Sequence, residues 1–238
     1  MKFLEELLQK FSEDPRSQIV NENFISAMPK KEEKDIYSYT EKLPKEAIEP
    51  LPFYPNNDYI KYNRAPEKTL TTAAVAAIAA ARKRAEETGV LTPELGEHLL
   101  PMAMVEGEND RIGIIPGREN FYASRRMLKA LENMGLEEGK DYISNYHNGE
   151  KHVRIMNANP AMAAVILGEK AQLKRVGGDL EKAIKAYNGK GKGTERFITG
   201  DIPADVDVYW DKVQKAKQTL DHPLNYKIKN HYTKAYQK

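Results

Sequence analysis

Residues 71–87, TTAAVAAIAAARKRAEE, constrain the fold of this chain more than any other segment. Alanine, the best helix former, occupies most positions, a threonine can cap the start, and Gly89 follows the end. Small side chains on several faces let neighbouring elements approach closely, so the sequence predicts a central, tightly packed helix. The longest stretch of low charge, Thr69 to Ala81, is thirteen residues long. A membrane span needs roughly 20 apolar residues, so none is expected.

The first 67 residues have a different character. They open with an amphipathic candidate whose apolar side chains share one side at helical spacing: Phe3, Leu4, Leu7, Leu8 and Phe11. Helical periodicity is lost after Pro15, where charge runs and six further prolines follow. The pattern predicts an extended N-terminal arm over 1–67, and its five tyrosines indicate that it lies against another surface.

Several more helices are expected after the alanine-rich one. A second begins with Thr92 as cap and Pro93 at its first position, and continues to Val105 with a kink or restart at Pro101. A third runs from about 118 to 133. Further on, caps and breakers predict three later helices: 160–176, 180–188 and 206–220.

One clear β-signal interrupts the helices. Asn148-Gly149 lies between two runs of alternating polar and apolar residues, and this dipeptide suits the positive φ angles of a two-residue turn. The sequence therefore predicts an α+β fold, mainly α, with one β-hairpin at about 141–156. The expected domain covers 68–220, and a basic tail covers 221–238.

Composition excludes several kinds of chemistry. The chain has no cysteine, which rules out disulfides, thiol nucleophiles and cysteine-bound metals. It has no phosphate-binding glycine loop and no zinc-protease motif, and its five histidines lack metal-ligand spacing. His147 and His152 can face each other across the hairpin, or can simply be two exposed strand residues. No cofactor and no metal are expected.

Glu106 is the candidate for acid–base chemistry. The segment LLPMAMVEGEND, residues 99–110, places this glutamate at the end of an apolar helix and directly before Gly107. Partial burial disfavours the ionised form of a carboxyl group, which suits the proton donor that glycoside cleavage needs. The alternative is an ordinary glutamate at a solvated helix end.

Two sets of residues resemble the lytic transglycosylase and goose-type lysozyme family. Residues 89–108, GVLTPELGEHLLPMAMVEGE, are similar to the helix that ends in the family's catalytic glutamate. The second set matches the family's later motifs in order: Gly178-Asp179, Ala186-Tyr187-Asn188-Gly189, Pro203 and Tyr209-Trp210-Asp211-Lys212-Val213. The resemblance covers roughly 88–217. The chain departs from it at Gly107, where the family has serine, and lacks the family's Gly-Leu-Met-Gln segment.

The resemblance implies a lysozyme-like fold and cleavage of the β-1,4 bond between N-acetylmuramic acid and N-acetylglucosamine in peptidoglycan. It gives Glu106 the role of general acid and then base, and Tyr187 that of a hydroxyl facing substrate. A core anchor is the alternative for Tyr187. Four more residues are expected along the substrate groove: Gly107, Glu108, Asn188 and Tyr209. Asn188 can equally shape the turn after its helix.

Other functions stay open. A hydrolase needs a second carboxylate to activate water, roughly 6.5 to 9.5 Å from the first in an inverting enzyme, and the candidates near in sequence are Glu108, Asp110 and Glu119. The other rival is a non-enzymatic lysozyme-like virion protein that binds through the basic last third, where 15 Lys and Arg face 9 Asp and Glu. Peptidoglycan strands are the expected partner, nucleic acid is not, and the arm can contact other virion proteins. No signal peptide is recognisable at the start, so we expect a bacteriophage virion protein that opens the cell wall during genome entry.

Overall fold

The structure is a computed structural model that describes residues 50–55, 68–107, 111–118, 120–189, 196–197, 199–200 and 204–238. It is a mixed α+β structure and mostly helical, as the sequence predicts. Its strands are β1 (Pro50–Phe53), β2 (Lys68–Thr71), β3 (Asn120–Tyr122), β4 (Tyr142–His147) and β5 (Glu150–Ile155). Its α-helices are α1 (Thr72–Glu87), α2 (Pro93–Gly96), α3 (Leu99–Glu106), α4 (Arg125–Asn133), α5 (Pro160–Ala171), α6 (Leu180–Asn188), α7 (Ala204–Asp207), α8 (Tyr209–Thr219) and α9 (Tyr226–Gln237).

Helix α1 is the predicted central helix. The side chain of Thr71 accepts a hydrogen bond from the Ala74 amide at 3.0 Å, so threonine caps the start as expected. Most of its alanines are buried, and α5 and α9 both pack against it. Close packing extends to the loop after α1, because a Cβ at Gly168 of α5 would lie 2.4 Å from the Val90 carbonyl oxygen.

The predicted second helix is divided into α2 and α3. The division falls at residues 97–98 and not at Pro101, which lies in the first turn of α3, where a proline breaks no helical hydrogen bond. The prediction of a third helix from 118 is wrong in its first part. Residues 120–122 form β3, and the helix begins only after Ser124, whose side chain accepts from the Met127 amide.

The predicted hairpin is present as β4 and β5, joined at Asn148 and Gly149, both with positive φ. It is part of a larger sheet, because β3 pairs antiparallel with β5 and the strand order is β3-β5-β4. The expectation of a lone hairpin is therefore corrected to a three-stranded antiparallel sheet. Val153 and Ile155 face the core from the middle strand.

Part of the predicted arm belongs to the core. Strand β1 pairs antiparallel with β2, and its side chains Leu51 and Phe53 are fully buried. The domain boundary at 67/68 stays a prediction, but Leu51 and Phe53 pack as core residues. The amphipathic candidate at 3–11 and most of the arm lie outside the described residues.

The C-terminal residues form structured elements where a basic tail was expected. After α7 and α8, a short 3₁₀ turn leads into α9, which buries Ile228 and Tyr232 against α1. Asn225 is fully buried, and its side-chain amide donates to the carbonyls of Tyr54 and Thr219. The turn before α9 is thereby linked both to the residue that follows β1 and to the end of α8.

The structure contains no candidate for a membrane-crossing helix among the residues it describes.

Candidate functional site

Glu106 is the last residue of α3, and the helix is apolar up to that point. Six of its side chains are buried: Leu99, Leu100, Pro101, Met102, Ala103 and Met104. Gly107 ends the helix in the left-handed conformation with φ 64°, and its amide donates to the Ala103 carbonyl. The Glu106 side chain is half-buried and its Oε1 atom is shielded from solvent.

A tight turn at residues 111–114 lies against the Glu106 carboxyl group. Ile112 and Gly113 both have positive φ, 48° and 72°, and the Ile114 amide donates to the Arg111 carbonyl at 3.1 Å. Ile112 is fully buried, and a β-branched residue is an outlier in this region of backbone space. A Cβ at Gly113 would lie 2.5 Å from Glu106 Oε2, so any other residue here would require the Glu106 carboxyl group to move.

Tyr187 reaches the same turn from α6. Its side chain is fully buried, and its hydroxyl donates a hydrogen bond of 2.8 Å to the Ile112 carbonyl. This geometry is the one that a core anchor requires. Whether the hydroxyl also contributes to turnover stays a prediction.

Tyr209, the first residue of α8, completes the cluster around Glu106. Its side chain is buried, and its hydroxyl has no contact with solvent. Burial raises the pKa of Tyr209 well above its usual range, and the nearby Glu106 and Tyr187 raise it further. The phenol is therefore protonated at neutral pH. We call Glu106, Tyr187, Tyr209 and the 111–114 turn the Glu106 cluster.

Of the other residues predicted for the substrate groove, two adjoin members of the Glu106 cluster along the chain, and one lies outside the described structure. Asn188 is half-buried at the end of α6, next to Tyr187, and Gly107 serves as the cap of α3. Glu108 lies outside the described residues, as do Asp110 and Glu119, the other candidates for a second carboxylate.

His98, at the start of α3, connects that helix to α8. Its Nδ1 atom lies 2.7 Å from the Glu94 carbonyl oxygen and therefore carries the proton, while Nε2 accepts from the Gln214 side-chain amide at 3.1 Å. The ring stacks on Trp210 with centroids 5.8 Å apart. Burial lowers the pKa of His98 below its ordinary value, so the neutral ring is the form that this interface holds.

The hairpin histidines do face each other diagonally, with ring centroids 5.8 Å apart and ring planes nearly perpendicular. Within the described part of the chain, no three histidine or acidic side chains are grouped so that they could hold a metal ion.

The sequence predictions missed the part played by Ile112 and Gly113. Their only sequence signal is a glycine between apolar residues shortly after the candidate acid. The contact with Glu106 depends on the tertiary path of the turn, which local spacing does not define.

Comparison of the chain with protein-family models, with curated proteins and with solved structures found no match.

Proposed function

We propose that this protein is a peptidoglycan lytic transglycosylase in which Glu106 is the single general acid and base. The observation that carries the proposal is the setting of Glu106, whose carboxyl group ends an apolar helix between the Gly113 turn and the buried Tyr209. The motif resemblance over 88–217 supports it, because its separate parts supply the residues found around Glu106. A lysozyme-like fold belongs to the same proposal.

One carboxyl group is enough for this reaction. Glu106 first gives its proton to the glycosidic oxygen, and the bond from that oxygen to C1 of the muramic acid residue breaks. The sugar's 6-hydroxyl oxygen then bonds to C1 while its proton passes to the Glu106 carboxylate. The product is a 1,6-anhydro sugar, no water is consumed, and the acid is regenerated.

Tyr209 can support the intermediate stage. A phenol is protonated at neutral pH, and a protonated phenol beside a carboxylate can donate a hydrogen bond to it. Tyr209 can therefore hold the Glu106 carboxylate in place between the first and the second proton transfer.

The Glu106→Gln variant tests the proposal on purified peptidoglycan. Glutamine keeps the shape and removes the transferable proton, so muropeptide release should fall at least about 100-fold with little change in stability. Glu87→Gln is the matched control, because Glu87 is an exposed glutamate at the end of α1, and its activity should equal that of the unmodified protein.

Mass spectrometry of the released fragments distinguishes the rivals. Anhydro ends support the transglycosylase, and hydrated reducing ends would assign a water-using muramidase with a second carboxylate. Binding to peptidoglycan without any release would replace the proposal with the non-enzymatic binding protein.

A further inference from the structure

We infer that Gly113 is a positioning residue that sets the orientation of the Glu106 carboxyl group, an inference that rests on the proposed function. A Cβ at this position would lie 2.5 Å from Oε2 and 2.6 Å from Cδ of Glu106. Both distances are far inside van der Waals contact. The bare Cα of Gly113 therefore forms one wall of the space in which the carboxyl group sits.

The turn that carries Gly113 is held firmly enough to act as a fixed wall. Ile112, at φ 48°, occupies a conformation that β-branched residues avoid and that persists only where the surroundings impose it. The surroundings here are the buried Ile112 side chain, the Ile114 amide bonded to Arg111, and the Tyr187 hydroxyl bonded to the Ile112 carbonyl. These three restraints hold the turn in its own conformation and link it to α6.

A side chain at Gly113 would displace the carboxyl group before it displaced the backbone. The close atoms belong to the far end of the Glu106 side chain, which can rotate, whereas the backbone of the turn is held by the three restraints just described. A misplacement of about 1 Å at a reacting group costs on the order of 100-fold in rate. Gly113→Ala should therefore remove activity while leaving the protein folded.

The test compares Gly113→Ala with Gly89→Ala on soluble, uncrosslinked peptidoglycan strands. Gly89 has nearly the same backbone angle, φ 69°, but nothing lies within 4 Å of its added Cβ. Both variants should lose a similar amount of stability, a fall in Tm of about 2 to 8 °C, because both place alanine in the left-handed region. Only Gly113→Ala should lower kcat, by about 100-fold, with KM within about twofold. Equal kcat in the two variants would overturn the inference.

A double-mutant cycle separates displacement of the carboxyl group from general damage to the turn. Glu106→Asp withdraws the carboxyl group by one methylene, so it no longer reaches Gly113. In that background Gly113→Ala should lower kcat less than about threefold. If the double variant instead lost the product of the two single losses in kcat, the two substitutions would act independently, and Gly113→Ala would not act through the carboxyl group.

Carboxyl ¹³C NMR gives a readout that does not depend on activity. The Glu106 resonance, identified by its disappearance in Glu106→Gln, should move in Gly113→Ala and stay in place in Gly89→Ala. If the Glu106 resonance does not move in Gly113→Ala, Gly113 does not position the carboxyl group, whatever activity the protein has. If the resonance moves but the unmodified protein releases no muropeptides, only the proposed function fails.

Discussion

The hydroxyl of Tyr187 is buried and donates a hydrogen bond to the Ile112 carbonyl, as the core-anchor alternative requires. We expect Tyr187→Phe to lower the free energy of unfolding by about 1 kcal/mol and to leave the rate per folded molecule within about tenfold. Urea unfolding and muropeptide release on one preparation measure both. Tyr146→Phe, at a side chain that is 77% exposed, is the control and should change neither. A loss of 100-fold or more at unchanged stability would restore the direct contact with substrate.

The sequence predicted part of the Glu106 cluster. The position of Glu106 at the end of an apolar helix follows from helical spacing, and the motif match named Tyr187 and Tyr209. The Tyr187 hydrogen bond and the burial of both tyrosines did not follow, because they depend on segments about 75 and 100 residues apart in the chain. Gly113 could not be singled out because a glycine shows its steric role only when its neighbour in space is known.

Strand β1 contributes to the core of the described part of the chain. Leu51 and Phe53 are fully buried, so a chain that starts at Arg64 lacks two core side chains and the pairing partner of β2. We expect this chain to be clearly less stable in urea than one that starts at residue 48. The Phe53→Ala variant should reproduce much of the loss, about 3 to 5 kcal/mol, whereas the exposed Pro52→Ala should cost little. Equal stability of the two truncated chains would show that β1 is dispensable.

The helices and strands differ in how clearly their own sequences predict them. The Asn-Gly turn and the Asp179 cap are local signals, and the hairpin and α6 appear where they predict. Strand β3 has only three residues, which are too few to show an alternating polar and apolar pattern. It forms because its backbone can pair with the edge of β5. Helix α9 carries a weaker signal, Ile228, Tyr232 and Tyr236 at intervals of four, hidden among lysines and tyrosines.

Across the whole molecule, the Glu106 cluster is assembled from α3, the 111–114 turn, α6 and α8. No single element holds it, so the angle between α3 and α8 determines where the Tyr209 hydroxyl lies relative to Glu106. That interface is the one bridged by His98, Trp210 and Gln214. The stability of this interface is therefore coupled to the protonation of His98.

The pH dependence of unfolding should report that coupling. The folded protein holds His98 neutral, with a pKa lowered first by burial and then by the charge of Lys217 and Arg82, while Glu94 and Glu97 oppose the shift. The unfolded chain takes up a proton near pH 6.5, and the folded protein does so only at lower pH. His98 therefore contributes stability above pH 6.5 that is lost as pH falls, by at most about 1.4 kcal/mol per pH unit. Urea unfolding at pH 7 and pH 5 should show a larger fall for the unmodified protein than for His98→Gln, which keeps an amide beside Gln214 but does not titrate. An equal fall in both would mean that the α3–α8 interface is insensitive to protonation of this ring.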